Sequence, residues 1–186
     1  MGRVRGVLGR PWAVGLLVPA VAGIGAGLFW FEPWKLWQDE TVNEAPPLVV
    51  EASRSAGASP SATASVPDGP LTLASGELVS HEHETSGTVK LVRLSDGSHV
   101  VRLEELDTSN GPDLRVWLTD APVKEGPAGW RVFDDGEYVS LGRLKGNKGS
   151  QNYAVPGDVD LSGFSSVSIW CDRFDVSFGA AELARA

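Results

Sequence analysis

The sequence predicts an all-β domain, an antiparallel β-sandwich of about seven or eight strands, preceded by one apolar helix and a disordered linker. Three observations carry that prediction. Residues 70–186 hold short apolar runs of period two, separated by clusters of turn-forming residues. The same region contains no convincing amphipathic helical stretch. Between Arg10 and Glu32, by contrast, lies a run of 21 residues without one charged side chain, Pro11 to Phe31.

The first segment, residues 1–10, is a short basic tail with Arg3, Arg5 and Arg10. Residues 11–31 follow. As a helix rising about 1.5 Å per residue they would extend roughly 30 Å, the thickness of a bilayer's hydrocarbon. Trp12 stands at one end and Trp30, Trp34 and Trp37 at the other, as aromatic side chains do at the headgroup level. Arginines precede the run, while Glu32, Asp39, Glu40 and Glu44 follow it with only Lys35 in opposition. The positive-inside rule therefore predicts a single transmembrane signal-anchor, with a cytoplasmic amino terminus and the bulk of the chain extracellular or periplasmic. A secretory signal cleaved after Ala20-Val-Ala22 is the competing reading.

Residues 32–68 form the predicted extracytoplasmic linker. From Gln38 onward Ala, Ser, Pro, Glu and Thr prevail, with Pro46-Pro47, Pro60 and Pro67 and no aromatic residue. Such a composition buries too little apolar surface to offset chain entropy, which predicts disorder and a stalk or spacer.

The globular part is assigned to 69–186. Strands are predicted at Leu71–Val79, Gly87–Leu94, His99–Leu106, Asp113–Leu118, Tyr138–Leu141, Gln151–Val155, Ser166–Cys171 and Phe174–Phe178. Between them lie Ser95–Ser98, Ser109–Pro112, Lys145–Gly149 and Pro156–Asp158, rich in residues that suit tight or positive-φ turns. The last two strands are joined at Asp172-Arg173 by a polar turn or a bulge. Thr119–Glu137, with its prolines, glycines and acids, reads as a surface loop bordering a site.

The chain has one cysteine, Cys171, so no intramolecular disulfide can form. Alternation puts it on the face of Val167 and Ile169, toward a core. There it is an ordinary packed thiol or a redox group whose thiolate Arg173 and Lys145 would stabilise. His81 and His83 share a strand face and make a weak His2Cys set with Cys171; no metal site is assigned. Asp113 reads as a turn cap, with a ligand or an acid beside the cysteine as the competing reading. Lys145-Gly-Asn-Lys-Gly149 has the look of an anion nest but lacks the ending and the following helix of a phosphate loop. Asp134, Asp135 and Glu137 read as a solvated loop rather than a calcium site. A net charge of −8 excludes a nucleic-acid surface. No catalytic triad or carboxylate pair follows from spacing, and the chain is not read as an enzyme; any catalysis would be redox.

Several blocks carry a resemblance. They are His83-Glu-Thr-Ser-Gly87, Gly111-Pro-Asp-Leu-Arg-Val-Trp-Leu118, Leu141 to Tyr153 with Val155-Pro156, Val167-Ser-Ile-Trp-Cys171, and Phe174-Asp-Val-Ser-Phe-Gly-Ala180. In this order they resemble the DM-thirteen domain, the electron-transfer DM domain, over about Gly76 to Leu183. The resemblance implies an all-β extracellular domain, here of the membrane-anchored bacterial type. It also implies a redox role through Cys171, as a free thiol or as ligand to a haem or copper, with His83 as a second cofactor-binding candidate. The function expected is therefore a membrane-anchored extracytoplasmic binding or interaction module, with a redox role through its cysteine. An electron carrier with a cysteine-ligated haem or metal is one alternative. A cell-envelope adhesion protein using the Thr119–Glu137 loop is the other. Expected partners are the lipid bilayer, through residues 11–31, and an extracytoplasmic protein or cell-envelope component.

Overall fold

A computed structural model describes residues 11–47 and 69–185. Eleven strands form two sheets: β1 (Thr41–Asn43), β2 (Leu71–Glu77), β3 (Val79–Ser80), β4 (Ser86–Arg93), β5 (His99–Asp107), β6 (Leu114–Thr119), β7 (Tyr138–Arg143), β8 (Lys148–Val155), β9 (Ser166–Cys171), β10 (Val176–Glu182) and β11 (Ala184–Arg185). A six-stranded sheet runs β1-β8-β5-β4-β2-β11 and a five-stranded sheet β3-β10-β9-β6-β7. Each of the eight expected strands is present, with ends displaced by a few residues, and the sandwich-like, mostly β fold is as predicted.

The core follows from period two. Val89, Leu91, Val101 and Leu103 of one sheet face Val116, Leu118, Val167, Ile169 and Cys171 of the other. The five-stranded sheet, however, is apolar on both faces, and every residue of β9 is buried. Trp117, Trp170 and Ala180 point away from the main core and form a second cluster with Ala121 and Phe133. Those two partners belong to the stretch expected to be a surface loop. Residues 120–137 instead fold across the outer face of the sheet, with Phe133 0 % exposed. The physical reason is that two tryptophans on a sheet's second face demand a cover. The buried serines beneath are paired: Ser166 Oγ donates to the Ala121 carbonyl at 2.6 Å, and Ser168 Oγ to Ser177 Oγ at 2.9 Å.

The amino-terminal run is helical from Pro11 to Phe31, here α1. Among the described residues no helix is long and apolar enough to cross a membrane, so the transmembrane span expected at 11–31 is not supported. Pro19 and the glycines at 15, 23, 25 and 27 dilute the apolar surface of α1. The helix stops where Glu32 turns left-handed (φ 42°) before Pro33, whose ring disfavours helical geometry in the residue preceding it. A 3-10 stretch, Pro33–Trp37, follows.

The linker expectation needs the larger correction. Residues 48–68, like the tail 1–10, lie outside the described residues; residues 39–45 are docked on the sandwich. Strand β1 pairs in parallel with β8, Thr41 opposite Lys148 and Asn43 opposite Ser150. Asn147 Oδ1 accepts from the Glu40 amide at 2.7 Å, while its Nδ2 donates to Asp39 at 2.8 Å. Glu44 accepts from Lys145 Nζ and from the Asn152 amide, both at 2.7 Å. Arg102, only 6 % exposed, donates to the Glu44 and Ala45 carbonyls and to Asn152. A composition poor in apolar residues is therefore held by hydrogen bonds and charge, which hydrophobicity-based reading does not register. The apparent anion nest at 145–149 takes the chain's own carboxylates.

Gly149 makes a direct test of this strap. Its φ is +93°, and a Cβ there would run into the Val42 carbonyl. Gly149→Ala is therefore expected to cost about 1–3 kcal/mol and to release β1, so that protease cuts appear within 39–47 while the sandwich persists. An unaltered cleavage pattern would show that β1 does not lie against β8.

Candidate functional site

A cleft of about 310 Å³ opens where the end of α1 meets the sandwich. Phe31 and Pro33 form one wall; Gly111, Pro112, Phe174 and Phe178 form the other. Glu32, Lys35, Glu82, His83 and Asn110 complete the lining. Phe31 stacks on Phe174 with ring centroids 5.7 Å apart and planes 19° from parallel. The imidazole of His83 lies over Phe178 at 3.9 Å. Lys35 Nζ pairs with Glu32 at 3.0 Å and reaches the Pro112 carbonyl at 3.5 Å. The guanidinium of Arg173 donates to the Trp30 carbonyl and sits 5.3 Å over the Trp30 ring, which pins the helix end beside the β9–β10 turn.

Local geometry explains these placements. After Cys171 the chain makes a turn in which the Phe174 amide donates to the Cys171 carbonyl at 3.2 Å and Asp175 takes a left-handed φ of 49°. The turn throws Phe174 out over the sandwich end. A β-bulge between Ser177 and Gly179 then turns Phe178 to the main-core side, under His83.

Cys171 is near this site but does not line it. Its side chain is fully buried with Val167 and Ile169, on the face that alternation predicted. Burial pushes its thiol pKa above the ordinary 9.0; backbone amides at Arg173 and Phe174 oppose that shift, and the Asp113 charge adds to it. Arg173 contributes only its amide, since its guanidinium is spent on Trp30. Lys145 lies in the loop between β7 and β8, bound to Glu44 and over the Tyr153 ring. Neither expected cation therefore stabilises a thiolate. Asp113 bridges to Arg115 at 3.5 Å and Arg143 at 3.3 Å rather than acting as a simple turn cap. Arg115 also pairs with Asp172, whose carboxyl is raised above its usual value chiefly by burial.

The two histidines divide. His81 Nδ1 is bonded to Ser177 Oγ at 2.8 Å and Nε2 to the Lys124 carbonyl at 3.1 Å, with Phe133 stacked at 5.7 Å. Both ring nitrogens are occupied, and Ser177 is fully buried, so this pair is structural. His83 faces the cleft. Among the described residues no group of three or more His, Cys, Asp or Glu side chains is arranged to hold a metal ion. A thiolate-ligated haem or copper does not fit Cys171 as folded: its side chain is fully buried in the main core, burial favours the neutral thiol, and it is not among the residues that line the cleft.

Burial lowers the pKa of both His81 and His83 from 6.5. A depressed histidine contributes stability that is complete above the unfolded value and lost as pH falls through the folded one. The unfolding midpoint is therefore expected to fall between about pH 7 and about pH 5, and to fall less in His81→Gln. A midpoint equally pH-dependent in the variant would remove His81 as the source.

Sequence reasoning found His83 and the Gly111-Pro112 turn but missed Phe31, Pro33, Lys35 and the ring faces of Phe174 and Phe178 as one site. The available signal was the cluster Trp30-Phe-Glu-Pro-Trp34 beside an otherwise polar segment.

Residues 77–183 match the family model described as electron transfer DM13. No curated protein and no solved structure matches the chain.

Proposed function

Because the chain belongs to the electron transfer DM13 family, we propose that it is a binding module of that redox-related family whose working site is the cleft between α1 and the sandwich. One observation carries the reading: three of the sequence blocks that resemble the family, those at His83, at Gly111-Pro112 and at Phe174 to Phe178, converge on this cleft. Cys171 then serves as packing behind the cleft, not as its reactive group. The module is tethered to a membrane through residues 11–31. Leu16, Leu17, Val18, Val21, Ile24 and Leu28 lie largely exposed on that helix, and an apolar surface of this extent calls for apolar surroundings.

The test is to purify the full chain from membranes in mild detergent, denature it, and identify released small molecules by mass spectrometry. The comparison is Glu82→Trp, a substitution at an exposed rim position that lays an aromatic group across the cleft. A molecule released in stoichiometric amount by the parent protein and absent from the variant supports the reading. Equal release from both, or none from either, contradicts it. Extraction of the protein from membranes by alkaline carbonate would contradict the tether.

A further inference from the structure

We infer that the cleft takes the ring of a neutral, planar, membrane-soluble compound of the quinone class. The inference rests on the cleft being the working site and names its ligand.

Shape comes first. At about 310 Å³ the space is at the small end of ligand pockets, enough for a substituted single ring and not for a bulky fused system. Its walls are flat: Phe31 and Phe174 lie nearly parallel, and His83 and Phe178 form a second tilted pair. Each pair is in mutual contact, so a planar guest lies offset against their outer faces and edges rather than between them. Charge decides between amphiphiles. The lining holds Glu32, Glu82 and Lys35, and Lys35 is already paired with Glu32. Glu82 is left as net negative charge, on a protein of net charge −8, which disfavours a phospholipid phosphate or a fatty-acid carboxylate. A neutral head meets no such repulsion.

One polar group is placed to hold a neutral ring. His83 is half-buried, and among the described residues nothing but burial and the Glu82 charge acts on its ionisation. Burial keeps the imidazole neutral, so its ring N–H can donate to a ring carbonyl. Delivery follows from the architecture. The cleft includes Phe31, the last residue of α1, so a ligand with an isoprenoid tail would pass from the exposed apolar surface of α1 into the site.

The probe is a benzoquinone carrying a ten-carbon alkyl chain, titrated into the full chain in phosphatidylcholine nanodiscs and read by calorimetry against empty discs. Saturable one-to-one binding is expected. His83→Leu, which keeps the contact with Phe178 and removes the ring nitrogens, should weaken it roughly five- to tenfold, the worth of one hydrogen bond. Glu82→Trp should abolish it with an unchanged unfolding midpoint. Heats no different from empty discs, or identical binding by all three proteins, would overturn the quinone assignment. If mass spectrometry finds a phospholipid released only by the parent protein, the cleft stands and the quinone falls. If neither quinone nor any other molecule distinguishes parent from Glu82→Trp, both fall.

Discussion

Truncating Phe133 to alanine is expected to destabilise the domain by about 3–5 kcal/mol, lowering its thermal midpoint by more than roughly 10 °C. Phe133 is fully buried although it belongs to a segment with little regular structure. Its ring meets Trp170 edge-on at 6.4 Å and lies over His81, so its loss empties the centre of the second cluster. The surrounding residues are poorly able to close that space, because Trp117 and Trp170 are already stacked on each other at 4.9 Å. Protease cuts should then appear between 120 and 137, and tryptophan emission should shift to the red as Trp117 meets water. A loss below about 1 kcal/mol, the range of ordinary surface substitutions, would mean that this segment does not cover the sheet.

The second large effect concerns the sulfur. In the folded protein Cys171 should react with an aromatic disulfide reagent at least about a thousandfold more slowly than in denaturant, since access requires opening of the core. Raising the pH adds a signed expectation. The folded thiol pKa is raised by burial above 9.0. The thiol's contribution to stability is therefore full below that value and is lost as pH rises beyond it, where the unfolded chain ionises first. Reactivity should climb with this loss of stability rather than with simple thiolate formation in the native state. A native rate close to the denatured one would restore the redox-thiol reading.

Much of the sandwich was legible because each strand carries its own alternation. Val167, Ile169 and Cys171 do face the core together. What alternation hides is a second buried face. Ser166, Ser168 and Ser177 look solvent-directed, yet all are buried beneath 120–137 and hydrogen-bonded there. The strap was illegible for a different reason. Residues 39–45 contribute almost no apolar surface, and their docking depends on Asn147, Lys145 and Arg102, more than fifty positions away. The cleft inherits that blindness, since one of its walls comes from Phe31 and Pro33 and the other from Gly111, Pro112, Phe174 and Phe178, all distant along the chain. Lys145 and Arg173 show the cost of arguing from neighbourhood alone: both cations are engaged by the amino-terminal segment and not by Cys171.

The account stands on the amino-terminal segment being fixed to the sandwich, because only then do the two walls of the cleft face each other. Amide hydrogen exchange of the full chain in nanodiscs reads this directly at residues 39–45. Strand β1 should be protected to within about tenfold of its partner β8, and Gly149→Ala should remove protection from β1 while leaving β5 unchanged. Exchange of 39–45 at the rate of an unstructured peptide in the parent protein would contradict the account, leaving a sandwich without the cleft.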